Sequence, residues 1–466
     1  MKKLFGFLLF ISFLGSSAFA GPWGIVVNSS SMNIHTIDLG QTPPKVYGPF
    51  LTGSLGTPGY QLLDVAITPD SNYALISNFG ERKVHRIDIS DPANPILAGT
   101  ITLSFFAEDI AISPNGQFAV ISDGGYSRTL SFIDLSSFSS ASTYTMTSSN
   151  LYAQAVAIGS DNSTVIMVDY ANSRIIFGRV NVTFSGLVSE SNFPAEGNPI
   201  NVAISPDGST ALTAGWGNVV SVYHITGPGT LVPGSTPKVT GFHDQPQSIA
   251  FSPDGKKAYV ICANSSGNTL SWLQINGPGN VTMGGDRAAT LSTYASSGYF
   301  GVDVLAVSPS GNVAMAGTTT GSTDSRNRVS LINLSDYQVT AIAGTQIDAS
   351  GVAIFNEQIF APINPGLERL TNNYIFYKEY INILSWQANS KNKFPISKYR
   401  IYRKARGADD STYSQVAEVD ASIFEYTERG LKKDGFYTYG ITSINNRGLE
   451  SSPVEISNPG TMRRAR

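Results

Sequence analysis

The chain has 466 residues, with 31 Lys and Arg against 34 Asp and Glu, a formal charge of −3, 41% apolar and 11% aromatic residues. This composition excludes a disordered chain and gives no overall basic charge to hold nucleic acid, while the length allows two or three domains. In chain order the first element is residues 1–20, MKKLFGFLLFISFLGSSAFA, in which a Lys pair, an apolar core and an Ala-Phe-Ala ending predict a secretory signal peptide cut after Ala20. The single cysteine, Cys262, lies far beyond that cut, so a lipid-anchored lipoprotein is not expected and an intrachain disulfide is excluded. After removal of the signal no stretch reaches the roughly 20 apolar residues of a membrane span. The expected location is periplasmic or extracellular, in a bacterium.

From residue 21 onward one pattern returns. Aligned on Pro69, Pro114, Ser160, Pro206, Pro253, Pro309 and Asn356, the copies are 45, 46, 46, 47, 56 and 47 residues apart, a period expected of propeller blades or another repeat array. Three residues before each anchor stands an alanine: Ala66, Ala111, Ala157, Ala203, Ala250, Ala306 and Ala353. Apolar, mostly β-branched neighbours and a closing Pro-Asp-Gly turn predict a short strand buried on both faces. A second run recurs as IHTIDL (34–39), VHRIDI (84–89), LSFIDL (130–135) and VSVYHI (220–225), and its alternation predicts a strand with one wetter face. Runs such as YALIS (73–77) lie between the two, so each unit comprises about four strands and no helix. The uniform alanine fits innermost strands crowded around an axis, where a larger side chain would meet the next unit.

The ends of the repeat are complementary. WGIVVNSSSMNIHTIDL (23–39) lacks an alanine strand ahead of it, and GVAIFNEQIFAPIN (351–364) supplies that strand and nothing after it. Joining them makes seven blades and leaves no open sheet edge. Over residues 21–365 the chain resembles the bacterial YVTN-type or lactonase-like seven-bladed β-propellers and, more loosely, WD40 repeats. That resemblance implies an all-β ring with ligands at the central opening.

PINPGLERL (362–370) then reads as a joint, and residues 366–466 change in character: 16 Lys and Arg against 11 Asp and Glu, where residues 21–365 have 13 against 23. INILSW (381–386), ISKYRIYRKA (396–405) and the spacing of Leu431, Tyr437, Tyr439, Ile441, Asn445 and Gly448 resemble a fibronectin type III domain, an immunoglobulin-like β-sandwich. Trp386 reads as core, whereas NNYIFYKEY (372–380) does not fit an alternating strand. There is no Arg-Gly-Asp.

Residue types that carry chemistry are sparse. His35, His85, His224 and His243 are too dispersed for a zinc site, and the first two with His224 fall inside strand motifs, where a satisfied imidazole is expected. No nucleophile elbow, metalloprotease motif or phosphate loop is present, so no catalytic residue is assigned. Cys262 reads as core. Residues just ahead of the alanine strands rim the axial opening: Asp64, Glu108, Asp109, Asn201 and Asp303. Their oxygens suit a cation, calcium above all, or sugar hydroxyls. No other cofactor is evident. The ten-residue surplus between Pro253 and Pro309 places Tyr294, Tyr299 and Phe300 in a long loop, a second candidate contact. Two readings follow: a binding or scaffold protein of the cell envelope with a protein or glycan partner, or a lactonase-like hydrolase working at the acidic mouth.

Overall fold

The computed structural model describes residues 22–457, apart from residues 30, 59–60, 126, 148–150, 182, 264–267, 292–303, 318–328, 343–348, 357–358, 360, 391, 393–394 and 447. The chain divides into two compact units, Gly21–Glu357 and the part from Gln358 onward.

The first unit is all-β and built of repeated four-stranded antiparallel sheets, the architecture of a β-propeller. The alanine motifs are the first strands of these sheets: Leu62–Ile67, Ala107–Ile112, Ala153–Ile158, Pro199–Ile204, Gln245–Phe251, Leu305–Val307 and Ala349–Phe355. Ala349–Phe355 pairs with Trp23–Asn28, so one sheet is assembled from the two ends of the unit, with Trp23 opposite Phe355 and Ile25 opposite Ala353. Trp23 is fully buried there.

Side chains of the innermost strands alternate between the two neighbouring sheets. Ala66 packs with Ile110, Ala111 with Val156, Ala157 with Val202 and Ala203 with Ile249. Ala250 packs with Leu305, Ala306 with Val352, and Ala353 with Val65. Alanine is therefore the residue that faces the next innermost strand, where two backbones come close. Around the axis these strands line an open cavity of about 440 Å³; the lining residues include Val65, Val156, Ile249 and Val352, but most of the surface facing the cavity is polar.

Some third strands keep the wetter alternate positions read in the sequence, as Arg86 and Asp88 do in Lys83–Asp88, and others do not. Asn33–Asp38 is buried at every position and Thr129–Asp134 at all but its last. Sheets stack face to face with their neighbours, so both faces of the inner strands are covered, and water reaches the fourth strands instead, such as Lys45–Phe50 and Ile96–Thr102. The Gly-Pro-Gly turns also do more than reverse the chain. Gly229 N donates to Thr164 Oγ1 at 2.7 Å and Gly279 N to Thr210 Oγ1 at 2.9 Å, tying each turn to the preceding sheet.

The second unit has two sheets. One orders Ile363–Asn373, Lys378–Gln387 and Glu425–Leu431; the other orders Ser414–Asp420, Ile396–Ala405, Tyr437–Asn445 and Val454–Ser457. Leu384, Trp386, Tyr399, Ile401, Tyr439 and Ile441 form the core between them. Residues 363–370, read as part of a joint in the sequence, lie in the first strand of this unit. The segment NNYIFYKEY is a hairpin: Asn373 pairs with Lys378, and Tyr374 N donates to Tyr377 O at 2.8 Å. It resists an alternating reading because its apolar residues sit at the exposed tip.

Candidate functional site

Each innermost strand enters its sheet through a local irregularity. Pairing slips between Leu62 and Val65, between Ala107 and Ile110, and between Pro199 and Asn201. The slip takes Asp64 and Asp109 out of the ladder, and Asn201 follows it directly, paired with Ala214; all three side chains reach the next sheet. Asp64 Oδ2 accepts the backbone N–H of Ile110 at 3.0 Å, Asp109 Oδ2 that of Val156 at 2.7 Å, and Asn201 Oδ1 that of Ile249 at 3.0 Å. All three are buried. These sequence-nominated side chains therefore act as latches between successive innermost strands. Ser350, at the corresponding end of Ala349–Phe355, bonds the Leu62 carbonyl with its hydroxyl at 2.7 Å, so the last innermost strand is latched to the first. Asp303, Tyr294, Tyr299 and Phe300 lie outside the described residues.

Glu108 is different. It is buried, and its Oε2 has no hydrogen-bond partner. Burial first, then the neighbouring charges of Asp123 and Asp64, push its carboxyl up to about 8, so it is protonated at neutral pH. Gly124 makes room for it, because a Cβ there would stand 2.1 Å from Glu108 Oε2 and 2.7 Å from the ring of Phe79. Asp123, 1% exposed, accepts backbone N–H groups from Gly125 at 2.8 Å and Ser127 at 2.6 Å.

Above this neutral acid stand aromatic rings that the sequence reading missed. Phe79 stacks on Phe106 with centroids 4.9 Å apart, and the Arg82 guanidinium lies 4.3 Å from the Phe106 centroid. Tyr170 and Trp216 occupy the position of Phe79 in later sheets, each directly after a second strand. Tyr170 meets Tyr152 edge-on, and Trp216 is 38% exposed. The signal was present as Asn-Phe, Asp-Tyr and Gly-Trp at one register of the repeat; it is lost when only the most regular motif is aligned.

At the same end of the sheet that starts with Gln245–Phe251, charged groups converge. Asp244 receives both Nε and Nη2 of Arg287, at 3.0 and 2.7 Å, and the Thr269 hydroxyl. Asp286 accepts from Ser271 Oγ at 2.9 Å and bonds His243 Nδ1 at 2.5 Å. His243 is exposed, which presents its other ring nitrogen to solvent. The arrangement holds an imidazole in one orientation without a bonded hydroxyl nucleophile, since Ser271 is on the carboxylate and not on the ring.

His35 and His85 are structural. His35 Nδ1 meets Asn28 Nδ2 at 2.9 Å, and His85 lies between Asn78 and Thr100. Burial lowers both, His85 to about 4. Burial likewise raises the Cys262 thiol, which keeps it from acting as a nucleophile. Among the described residues no three or more His, Cys, Asp and Glu gather as a metal site, and no helix is long and apolar enough to cross a membrane.

The repeated four-stranded sheets and axial cavity define a protein of β-propeller fold, with lactonase-like propellers among its structural neighbours. The chain is similar to a functionally unknown protein from Desulfotomaculum acetoxidans, at 17% identity and a TM-score of 0.58, covering 72% of this chain and 99% of that one. It is similar at 13% and 0.56 to a candidate 6-phosphogluconolactonase from Bacteroides uniformis, with 72% and 99% covered. A periplasmic gluconolactonase from Pseudomonas aeruginosa matches at 12% and 0.54, with 72% and 100% covered. At these identities the likeness establishes the fold alone. No protein-family model and no curated protein matches the sequence.

Proposed function

We propose that Gly21–Glu357 form a closed seven-bladed propeller carrying a fibronectin type III-like sandwich, and that the chain is a secreted or periplasmic binding protein of the cell envelope. Its ligand surface is the end of the sheets where Phe79 and Phe106 stand beside Glu108 and where Tyr170 and Trp216 take the matching register in two later sheets. One observation carries this reading: Asp64, Asp109 and Asn201 are committed to backbone latches, which leaves a protonated carboxyl under aromatic rings. Glu108 is buried and uncharged, so it puts no negative charge beneath the rings to draw in a cation, and flat rings stack on apolar ligand faces. The pairing suits an uncharged, hydroxyl-bearing ligand, so a glycan is favoured over a metal ion and over an anionic partner. Thermal shift of the mature protein against peptidoglycan fragments, neutral oligosaccharides, calcium and lactones tests it. A neutral glycan should raise the melting temperature, and Phe106→Ala with Trp216→Ala should abolish the rise. A shift by calcium alone would sink the reading.

A second reading, lactone hydrolysis, draws on the Asp286–His243 pair, whose exposed ring nitrogen is placed to take a proton from water. Turnover of gluconolactone that disappears in His243→Ala would make the protein an enzyme and displace the binding proposal.

A further inference from the structure

The hairpin tip of the second unit is built from residues that do not belong in a turn. Tight turns are dominated by Gly, Pro, Asn, Asp and Ser, which supply the dihedrals or local hydrogen bonds the chain needs. Here the tip reads Tyr374-Ile375-Phe376-Tyr377, closed by the bond from Tyr374 N to Tyr377 O. Ile375 and Phe376 are each 93% exposed, so they contribute nothing to the core of their own unit. Four large apolar or aromatic residues in a row on a projecting tip form a contact surface for something outside the unit.

What surrounds the tip indicates the occupant. Tyr374 and Tyr377 stack with centroids 4.5 Å apart, one on each side of the Ile-Phe pair, and the Tyr374 hydroxyl reaches Glu379 at 3.4 Å. Behind them lie cations. Lys378 follows the tip directly and is exposed. Strand Glu425–Leu431 runs antiparallel to Lys378–Gln387 with Leu431 opposite Tyr380, which brings Lys432 and Lys433 to the tip end of the sheet. Arg369 fixes that turn by donating to the carbonyls of Lys432, Lys433 and Gly435. Arg429 is also exposed there and pairs with Glu379 at 3.3 Å, which occupies that acid, and Asp434 follows Lys433 in the turn. The order outward is a basic collar, a tyrosine pair and an apolar point. It matches in sequence the phosphate, interfacial and acyl depths of an anionic bilayer, where Lys and Arg meet headgroups, tyrosine favours the interface and Ile and Phe favour hydrocarbon.

We propose that this tip docks the protein on an anionic phospholipid surface, with Ile375 and Phe376 entering the acyl boundary. A pocket on a protein partner would call for a shaped surface around the point, whereas the flanks here carry charge of one prevailing sign, as a lipid surface requires. The docking is peripheral, through one two-residue point and a charge collar, so it is reversible and weakened by salt.

The test is co-sedimentation of the full mature chain with vesicles of equal parts phosphatidylglycerol and phosphatidylcholine. The chain should sediment with them, far less with phosphatidylcholine alone, and less as salt rises. Ile375→Ser with Phe376→Ser should weaken binding by at least about tenfold while leaving the melt unchanged, because those side chains touch nothing in the unit. Lys432→Gln with Lys433→Gln should weaken it and flatten the salt dependence. In Phe376→Trp, vesicles should shift the added tryptophan emission to the blue. No sedimentation of the unaltered chain, or equal sedimentation of the Ser variant, would overturn the proposal. A solution dimer that the Ser variant abolishes, without vesicle binding, would overturn it in favour of a second copy of the chain.

Discussion

Gly21–Glu357 and the unit that follows meet the cost of burying polar groups by different means. Among the described residues the first has four Lys or Arg ion pairs, and the second, about a third as long, has seven. In the first unit, each innermost strand packs on two others through Ala, Val and Ile. Its buried polar side chains are spent one at a time on a backbone N–H of the next sheet, as Asp64 and Asp109 are. In the second, Tyr and Arg side chains cross-link the outside of a small core. Arg400 alone meets Glu418, Glu450 and Tyr402. A large repeat can rely on contacts between copies of itself, whereas a small sandwich has less interior and adds charge networks at its surface. Two units held together so differently should come apart separately in calorimetry of the full chain, and substitutions should move one transition without the other.

The largest expected effect is Trp23→Ala. The indole is fully buried in the strand that joins the two ends of the first unit, beside Ile25, Leu62 and Phe355. Its loss should cost about 3–5 kcal/mol, read as a fall in the first unit's denaturation midpoint with the second transition unmoved. A shift of both transitions would show that the units unfold as one.

Next is Glu108→Gln, which is expected to stabilise and to do so in one direction of pH. The folded carboxyl titrates near 8 because of burial, and an unfolded one titrates near 4.5. Between those values the native state holds a proton that the unfolded state has released, so stability falls as pH rises through that window and levels off above it. The loss is on the order of 1.4 kcal/mol per pH unit across the window, up to several kcal/mol by pH 9. Gln cannot ionise, so the variant should match the parent at pH 4 and exceed it at pH 9. Identical pH profiles would mean that Glu108 is hydrated and charged. The second unit should ignore the change.

Much of this first unit was legible in the sequence, because the same strand recurs and comparison of copies exposes what each position must do. The alanine at the crowded position and the pairing of the two chain ends were both readable from the repeat, and the structure places them as expected. The role of the rim was not readable. Asp64, Asp109 and Asn201 were visible as polar residues at one register, yet a bulge of one or two residues decides whether such a side chain faces the opening or the next sheet, and bulges leave no mark in composition. The neutral state of Glu108 depends on Gly124 and Phe79, which come from two different sheets. In the second unit the core residues Trp386 and Tyr439 were legible, and the Arg400 network was not, since its partners are 18 and 50 residues away.

Smaller again is the expected effect of Asp109→Ala. Removing the carboxylate leaves the Val156 N–H buried without its acceptor at 2.7 Å, which should cost about 1–3 kcal/mol. Asp109→Asn should recover most of it, because an amide oxygen performs the same task at Asn201. If Asn is as damaging as Ala, the charge matters and the latch account fails at this position. A cation bound at the rim would produce that result, and calcium would then stabilise the parent and neither variant.

The smallest expected effect lies in the second unit. Arg400 Nη2 meets Glu418 at 2.9 Å and Nη1 meets Glu450 at 2.5 Å, with all three side chains partly open to solvent. Burial pulls its protonation down, and the hydrogen bonds to Tyr402 and Glu418 with the Glu450 charge outweigh it and hold the guanidinium more firmly protonated than usual. Arg400→Met keeps the stem that covers the sheet and removes the charge, so the loss should be only about 1 kcal/mol at low ionic strength. Glu450 keeps the hydroxyls of Tyr402 and Thr442 as donors, at 2.7 and 2.6 Å, which limits the damage further. In 1 M salt the difference between parent and variant should shrink by roughly half, because partly exposed pairs are screened over about 3 Å there. The first unit's transition should show no such dependence at Asp109, whose partner is a buried amide. A salt-independent loss at Arg400 would mean that its role is packing, and the contrast between the two units would then rest on tyrosine hydrogen bonds instead of charge.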